Sequence, residues 1–197
     1  MTNEHIAYLR RTQKVLPMER AKARAPDDER MTEPCADEHV VFGTHFLVGF
    51  GLPVSYFVRQ FLEFYGLRMH HLGPNSVLYL ACFATLCEAY LGFLTFPSLL
   101  RFFFHFRAEM HDNMSYSCGG VVVYRRRGGP FSKMKWIDSF KKWKRSFFYV
   151  RNIGHERDWV NLPLFVDMPP IGENWSLEVC NDEMLVIGGR LKELKGS

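Results

Sequence analysis

The sequence predicts an α+β fold, with a helical N-terminal half around a buried central helix and a mixed, basic C-terminal half of short strands and helices. The chain has 197 residues, of which 47% are hydrophobic and 15% aromatic, so it can bury a sizeable core in one domain. Apolar residues recur at helical spacing between residues 55 and 100. Beyond residue 118, β-branched and aromatic runs alternate with glycine pairs and with clusters of Lys and Arg, which is typical of short strands and turns.

The two ends of the chain are expected to be tails. Charges of both signs alternate with small residues over 1–36, which indicates a disordered or loosely helical segment, and a helix over about 4–16 fits within it. The single domain is expected over 37–178. A C-terminal tail follows over 179–197, and its apolar run at 183–189 predicts one last short strand.

Two helices are predicted between residues 55 and 92. Ser55 is a favourable N-cap residue, and the apolar spacing after it predicts an amphipathic helix over about 55–65. Pro74 then opens a second helix, which Gly92 ends. Apolar residues cover nearly every face of this second helix, so we expect it to be the buried centre of the domain.

The apolar stretch 77–100 is long enough to cross a bilayer, which takes roughly 20 residues. Glu88 lies in its middle, and Gly92 and Pro97 interrupt it. A charge at bilayer depth is costly, so two buried helices separated by a short turn are the preferred interpretation, and no membrane span is expected.

A third helix is predicted over 98–110, after the proline at position 97. Arg101, His105 and Glu109 recur every four residues in this segment. They would share one face of the helix, with phenylalanines and leucines over much of the remainder.

The C-terminal half is expected to contain two strands with a short helix between them. The β-branched run at 121–127 predicts the first strand, which a Gly-Gly-Pro turn ends. The second strand is expected over 146–152, and the helix over 136–143.

The segment 121–151 is the most basic part of the chain. It contains ten Lys or Arg and one Asp, a net charge of +9, whereas the whole chain carries only +4. Aromatic residues are threaded through this charge, a combination that suits a phosphate-bearing polymer or an acidic protein surface. The candidate contact residues are Arg125, Arg126, Arg127, Lys133, Lys135, Lys141, Lys142, Lys144 and Arg145.

The same segment also fits a purely structural interpretation. The aromatic residues Trp136, Phe140 and Trp143 would share one helix face and dock on the core, while the lysines are simply solvated. Both interpretations hold together if the aromatic residues pack inward and the lysines bind outward.

No complete catalytic signature is present in the sequence. It lacks a Gly-x-Ser-x-Gly nucleophile elbow, a P-loop and a dinucleotide-binding glycine motif. Glu88 is the one charge within the central apolar segment, and we interpret it as a structural carboxylate that pairs with Arg or Lys at a helix edge. We therefore expect a protein that is not an enzyme and that uses no cofactor.

Histidines and cysteines give no recognisable metal site. His70 and His71 are adjacent and are interpreted as a solvent-facing or capping pair before the central helix. A looser group matches no zinc-binding spacing and is expected to hold no metal: His105, Glu109, His111, Asp112 and Cys118.

Cysteine usage and size bear on the compartment. Five cysteines at irregular spacings argue against a disulfide framework and favour a reducing environment. The basic runs and the small size favour the nucleus or the cytoplasm. Residues 1–24 contain six Lys or Arg beside two Glu, which leaves the mitochondrion as the alternative.

Several blocks of the sequence resemble a known family. The chain is similar to the domain called "putative gypsy-type transposon", which is widespread in plant genomes, especially in grasses. The resemblance covers roughly 40–175, and its blocks are 45–92, CGG at 118–120, 131–163 and PPIGENW at 169–175.

The resemblance implies an origin in a transposon more than an activity. No catalytic residues are established for the family, and members are usually longer than this chain, which ends in CNDEMLVIGGRLKELKGS. A retroviral-type protease needs Asp-Ser/Thr-Gly, and Asp138-Ser139-Phe140 lacks the glycine. A reverse transcriptase needs a paired Asp-Asp in a strand, and Asp27-Asp28 lies in the charged N-terminal tail.

Three functions remain open at this point. The first is a non-enzymatic, transposon-derived binding module that contacts a cellular or element-encoded protein or a nucleic acid. The second is a protein-only interaction factor, either host-recruited or selfish, that acts on a cellular protein. The third is an unrecognised enzyme with Glu88, His105 or His111 at a buried site.

Overall fold

Runs of helices and runs of strands follow one another along the chain in an α+β arrangement, as predicted. The computed structural model describes residues 2–12, 21–26, 33–108, 110–111, 114–115, 118–127, 140, 142–153, 160, 162 and 182–196. The α-helices are α1 (Asn3–Arg11), α2 (Gly43–Leu47), α3 (Tyr56–Phe64), α4 (Pro74–Thr85), α5 (Pro97–Phe103) and α6 (Asp182–Gly196). The strands are β1 (Ala21–Arg24), β2 (His39–Phe42), β3 (Phe104–Ala108), β4 (Met110–His111), β5 (Met114–Ser115), β6 (Val121–Arg125) and β7 (Phe147–Asn152). Short 3₁₀ turns lie at Met69–His71 and Trp143–Arg145, and a π-helical turn at Leu86–Tyr90.

A three-stranded antiparallel sheet joins two strands from the first 42 residues with a strand at 147–152. Its strand order is β1-β7-β2, so the late strand β7 lies between two early strands. Val41 pairs with Phe148 across β2 and β7, and Ala23 pairs with Val150 across β1 and β7. These residues face the main core, where Val41, Phe148 and Val150 are fully buried.

The other face of this sheet, its outer face, carries a smaller aromatic cluster. Phe42 and Phe147 lie on it, and the ring of Trp143 packs edge-on against Phe42 at 4.6 Å between centroids. The imidazole of His45, in the middle of α2, lies 5.6 Å from the Trp143 ring and is completely buried. Burial lowers the pKa of His45 to about 3, and the nearby Leu72 backbone offsets only part of that shift.

The central helices follow the sequence prediction closely. The Ser55 side chain accepts a hydrogen bond from the Val58 N–H and caps α3. Helix α4 begins at Pro74 and continues into the π-helical turn, and Gly92 follows with φ +70°, a conformation that suits glycine. The predicted pair of buried helices separated by a turn is therefore confirmed. Within the described part of the chain, no helix has the length and apolar character needed to cross a membrane.

The predicted third helix is only half right. Helix α5 ends at Phe103, and the residues after it form strand β3. Phe104 and Phe106 point into the core while His105 and Arg107 point outward, a two-residue alternation that pairing with β6 stabilises. Arg101 and His105 therefore do not share a helix face, and Glu109 lies outside the described residues.

The N-terminal segment contributes more than the predicted tail. The expected helix is present as α1, and its Ile6 and Leu9 side chains are buried. An unpredicted strand follows, in which Ala21 belongs to the core and every residue pairs with β7. The boundaries proposed at residues 36 and 178 stay predictions.

The predicted C-terminal strand is wrong, because residues 182–196 form helix α6. Among the side chains of α6 that the structure describes, Ile187 is buried, and Leu185 and Val186 are exposed. Good helix formers from residue 190 onward favour the helix.

Candidate functional site

Strands β3 and β6 form a two-stranded antiparallel ribbon whose outward face is basic and aromatic. His105 pairs with Tyr124 across the ribbon, and their rings stack at 5.6 Å with an interplanar angle of 16°. Arg107, two residues along, is exposed on the same face. Burial, and then the positive charges of Arg126 and Arg107, lower the pKa of His105, so the ring stays neutral near pH 7.

The arginine run lies at the C-terminal end of β6. Arg125 pairs with Phe104 at the end of the ribbon. Arg126 donates from its backbone N–H to the Phe103 carbonyl at 2.9 Å and from Nε to the Arg101 carbonyl at 2.8 Å. Arg127 is exposed. The chain therefore positions Arg126 as a brace against α5 and presents Arg127 to solvent.

The second basic group lies at the opposite end of β6. Lys142 adopts a left-handed conformation with φ 66°, and the 3₁₀ turn after it presents Lys144 and Arg145 to solvent. The ring of Trp143 in this turn lies over Gly119, which precedes β6. The five residues of β6 span about 13 Å, so the two basic groups are separated by at least the length of the strand.

The structure thus divides the candidate contact residues between two places. Arg125, Arg126 and Arg127 join the β3–β6 ribbon, and Lys142, Lys144 and Arg145 lie in the turn before β7. Lys133, Lys135 and Lys141 are outside the described residues, as is most of the predicted helix over 136–143. Of the aromatic residues predicted to dock on the core, Phe140 packs against the main core and Trp143 against the outer-face cluster, while Trp136 lies outside the described residues.

The histidine pair is buried, so the solvent-facing interpretation is wrong and the capping interpretation is confirmed. Nδ1 of His71 accepts a hydrogen bond from the Arg68 N–H at 3.0 Å, which caps the 3₁₀ turn before α4. His70 packs edge-on against His71 at 4.2 Å, and its carbonyl accepts the Gly119 N–H. The described residues contain no group of three His, Cys, Asp or Glu side chains arranged to hold a metal ion.

Glu88 fastens the turn between the central helices. Its carboxylate accepts hydrogen bonds from the Thr95 hydroxyl and from the Thr95 N–H. The predicted partner was Arg or Lys, so the structural role holds with a different partner. Glu88 itself is exposed and lies at the rim of a groove between α3 and α4.

This apolar groove has a volume of about 350 Å³. Gly49 has φ +99°, and a Cβ built on it would lie 2.8 Å from the Ala81 Cβ, so the loop before α3 must approach α4 through a glycine. Tyr56 and Tyr90, which follow the lining residues Ser55 and Glu88 by one and two positions, are largely exposed. The groove lining includes Gly51, Val54, Val58, Leu80, Ala81 and Ala84.

Sequence reasoning missed a further set of cationic residues. Arg107 joins the basic ribbon, and Arg10, Lys22, Arg24 and Arg151 line a pocket against the first sheet. The N-terminal segment carries nearly equal numbers of positive and negative charges, so its net charge did not reveal these cationic residues. The alternation of small and basic residues in AKAR at 21–24 was the available signal, because it is the two-residue period of a strand.

Comparison with known proteins gives one family. The family model described as "Putative gypsy type transposon" matches residues 40–109, which run from β2 through β3. No curated protein and no solved structure matches the chain. The resemblance of the blocks beyond residue 109 stays a prediction. The similarity that these comparisons show is therefore to the gypsy-type transposon family, over residues 40–109.

Proposed function

We propose that the protein is a non-enzymatic binding module of transposon origin that contacts single-stranded or duplex nucleic acid through its β3–β6 surface. That surface is defined by His105, Arg107, Tyr124 and the arginine run 125–127. The transposon origin rests on the family match over 40–109. The observation that supports the nucleic-acid contact is the exposed Arg107 on the same ribbon face as the stacked His105–Tyr124 pair, with Arg127 exposed just beyond the end of β6.

The chemistry of this surface suits phosphates and bases together. Arginine guanidinium groups bind phosphate oxygens with charge-assisted hydrogen bonds, and aromatic faces stack on bases whatever their sequence. His105 is half-buried and already stacked on Tyr124, so the platform is ordered before a ligand arrives. Two-stranded ribbons also fit within the major groove of a duplex.

The test compares two double variants, one at each end of β6. Arg107→Gln with Arg127→Gln removes exposed charge from the ribbon without touching the brace formed by Arg126. Lys142→Gln with Arg145→Gln removes the same charge from the turn before β7. Binding of fluorescent single-stranded and duplex oligonucleotides is titrated at several salt concentrations, with Lys192→Gln on α6 as the matched surface control.

The ribbon variant is expected to bind about tenfold or more weakly, and its plot of log affinity against log salt is expected to be less steep by about one to two units. The control should bind like the wild type. A wild type that retains no oligonucleotide at low salt refutes the proposal. Equal weakening by the turn variant would mean that both basic groups contact the same polymer.

A protein partner is the second candidate, and the apolar groove favours it. The groove of about 350 Å³ is lined on the α4 side by Val77, Leu80, Ala81 and Ala84, and exposed tyrosines lie nearby in the sequence. A single stoichiometric protein should then be recovered after nuclease treatment, and Ala84→Arg, which fills the groove, should abolish its recovery. Recovery that nuclease removes, or that Ala84→Arg leaves unchanged, contradicts this candidate.

A further inference from the structure

A second concentration of positive charge lies against the first sheet, well apart in sequence from the β3–β6 surface. It is a pocket of about 390 Å³, here called the cationic pocket. Helix α1 supplies one side, and strands β1 and β7 supply the floor. Its lining consists of Arg10, Ala21, Lys22, Ala23, Arg24, Glu38, Tyr149 and Arg151.

Two like charges face each other on the floor of this pocket. Lys22 of β1 pairs directly with Arg151 of β7 in the antiparallel register. Side chains at such positions have Cβ atoms about 4.5–5.5 Å apart, and like charges there destabilise the sheet. A bound anion would convert this repulsion into two attractive contacts.

The neighbouring arginine is held in place before any ligand arrives. Arg24 donates from Nε and Nη2 to the two carboxylate oxygens of Glu38 at 2.7 and 2.8 Å, and Glu38 is buried. The Arg24 guanidinium also lies 3.9 Å from the centre of the Tyr149 ring. The Arg24 side chain, by its hydrogen bond and its charge, holds the pKa of Glu38 below its ordinary value against the opposing effect of burial. The site is therefore rigid and keeps its charges at neutral pH.

The charge balance of the pocket favours a compact anion. Four cationic side chains line the pocket together with the carboxylate of Glu38. A second carboxylate, that of Asp37, lies 3.3 Å from the Arg151 guanidinium. The exposed Asp37 carboxylate would repel a continuous phosphate backbone laid across the opening. A single phosphate group on a small molecule brings one anion near Asp37, whereas a polymer backbone brings several.

We propose that the cationic pocket binds a small phosphate-bearing molecule, with Lys22 and Arg151 as its principal phosphate contacts and Arg10 at its side. Cavities of this size hold ligands of nucleotide size or smaller. This site shares no residue with the β3–β6 surface, so either can exist without the other.

The test measures thermal unfolding of the full chain in inorganic phosphate, in a nucleoside monophosphate and in sodium chloride at matched ionic strength. Phosphate compounds are expected to raise the melting temperature of the wild type above its value in chloride. Lys22→Glu replaces the like-charge pair with an opposite-charge pair, so it should be at least as stable as the wild type without ligand. Its affinity for phosphate should fall about tenfold or more, because charge-assisted hydrogen bonds contribute on that order.

Two controls keep the result specific. Lys22→Gln removes the positive charge without reversing it and should also reduce the rise in melting temperature that phosphate causes. Lys192→Glu makes the same charge reversal on α6 and should leave that rise unchanged. The proposal is overturned if phosphate stabilises no more than chloride, or if Lys22→Glu is stabilised as much as the wild type. It is also overturned if a short oligonucleotide stabilises through Lys22 while the small phosphates do not.

Discussion

Lowering the pH from 7 to 5 should destabilise the fold through one buried histidine. The imidazole of His45 is wholly removed from solvent, packed among the rings of Phe42, Phe50 and Trp143. Among the described residues, neither of its ring nitrogens forms a hydrogen bond of normal length and angle, although the Leu72 backbone lies close enough to offset part of the effect of burial. Charging the ring there would require a water-filled path or partial opening of the sheet, so the folded state holds it neutral.

The size of the effect follows from the difference between the two pKa values. In the unfolded chain the pKa of His45 takes its ordinary value of 6.5, and burial lowers it to about 3 in the folded state. The unfolded chain therefore binds a proton that the folded chain cannot, so the contribution is complete above pH 6.5 and is lost as the pH falls towards 3. Each pH unit in that window costs about 1.4 kcal/mol, so pH 5 should cost about 2 kcal/mol.

Urea unfolding curves at a series of pH values between 7 and 5 measure this cost. In His45→Leu, which has a similar side-chain volume and no titrating group, the stability should fall by about 2 kcal/mol less over that range than in the wild type. Phe46→Leu, a packing change at the next residue of α2, should lower stability by an amount that does not vary with pH. Parallel profiles for the wild type and His45→Leu would refute the assignment of acid sensitivity to His45.

Three further changes test the packing, each by chemical denaturation. Gly119→Ala should destabilise the fold by about 1–3 kcal/mol, because Gly119 has φ +71° and the new Cβ would lie 2.5 Å from the Trp143 ring. The control Gly51→Ala places its Cβ in open space and should change stability little. Equal losses of stability in the two variants would contradict this prediction. Ser55→Ala should cost about 1 kcal/mol through loss of the α3 cap, and Ser55→Thr should retain most of it; a neutral Ser55→Ala would show that the cap is dispensable. Phe83→Ala should lower the free energy of unfolding by about 3–5 kcal/mol, because this fully buried ring contacts both α3 and α5. A loss below about 1 kcal/mol would contradict the close packing of the central core.

Local signals in the sequence were enough for the central helices. Ser55, Pro74 and Gly92 each act through their own backbone chemistry, and the structure places each where that chemistry predicts. The strand at 121–125 and the strand at 147–152 also followed from their β-branched and aromatic residues. These elements depend little on distant parts of the chain.

The errors arose where distant pairing decides the outcome. The run from Phe102 to Arg107 is compatible with a helix by composition, and the ladder to β6 makes its second half a strand. The strand at 21–24 consists of alanine and basic residues with low strand propensity, and it exists because β7 offers a free edge. The basic segment was predicted as one surface because its residues are adjacent in sequence, and the extended length of β6 separates its two halves.

The central position of β7 bears on how this chain folds. Strand β2 begins the family segment at 40–109, yet its only partner in the described sheet lies more than a hundred residues later. A polypeptide that ends at residue 109 would leave Val40, Val41 and Phe42 on an unpaired, apolar edge, which favours aggregation. Closing so long a loop is slow, so the sheet should assemble late, after the helices have collapsed on one another. The segment 40–109 that matches the family model should therefore not fold by itself, and its expression alone should yield insoluble material.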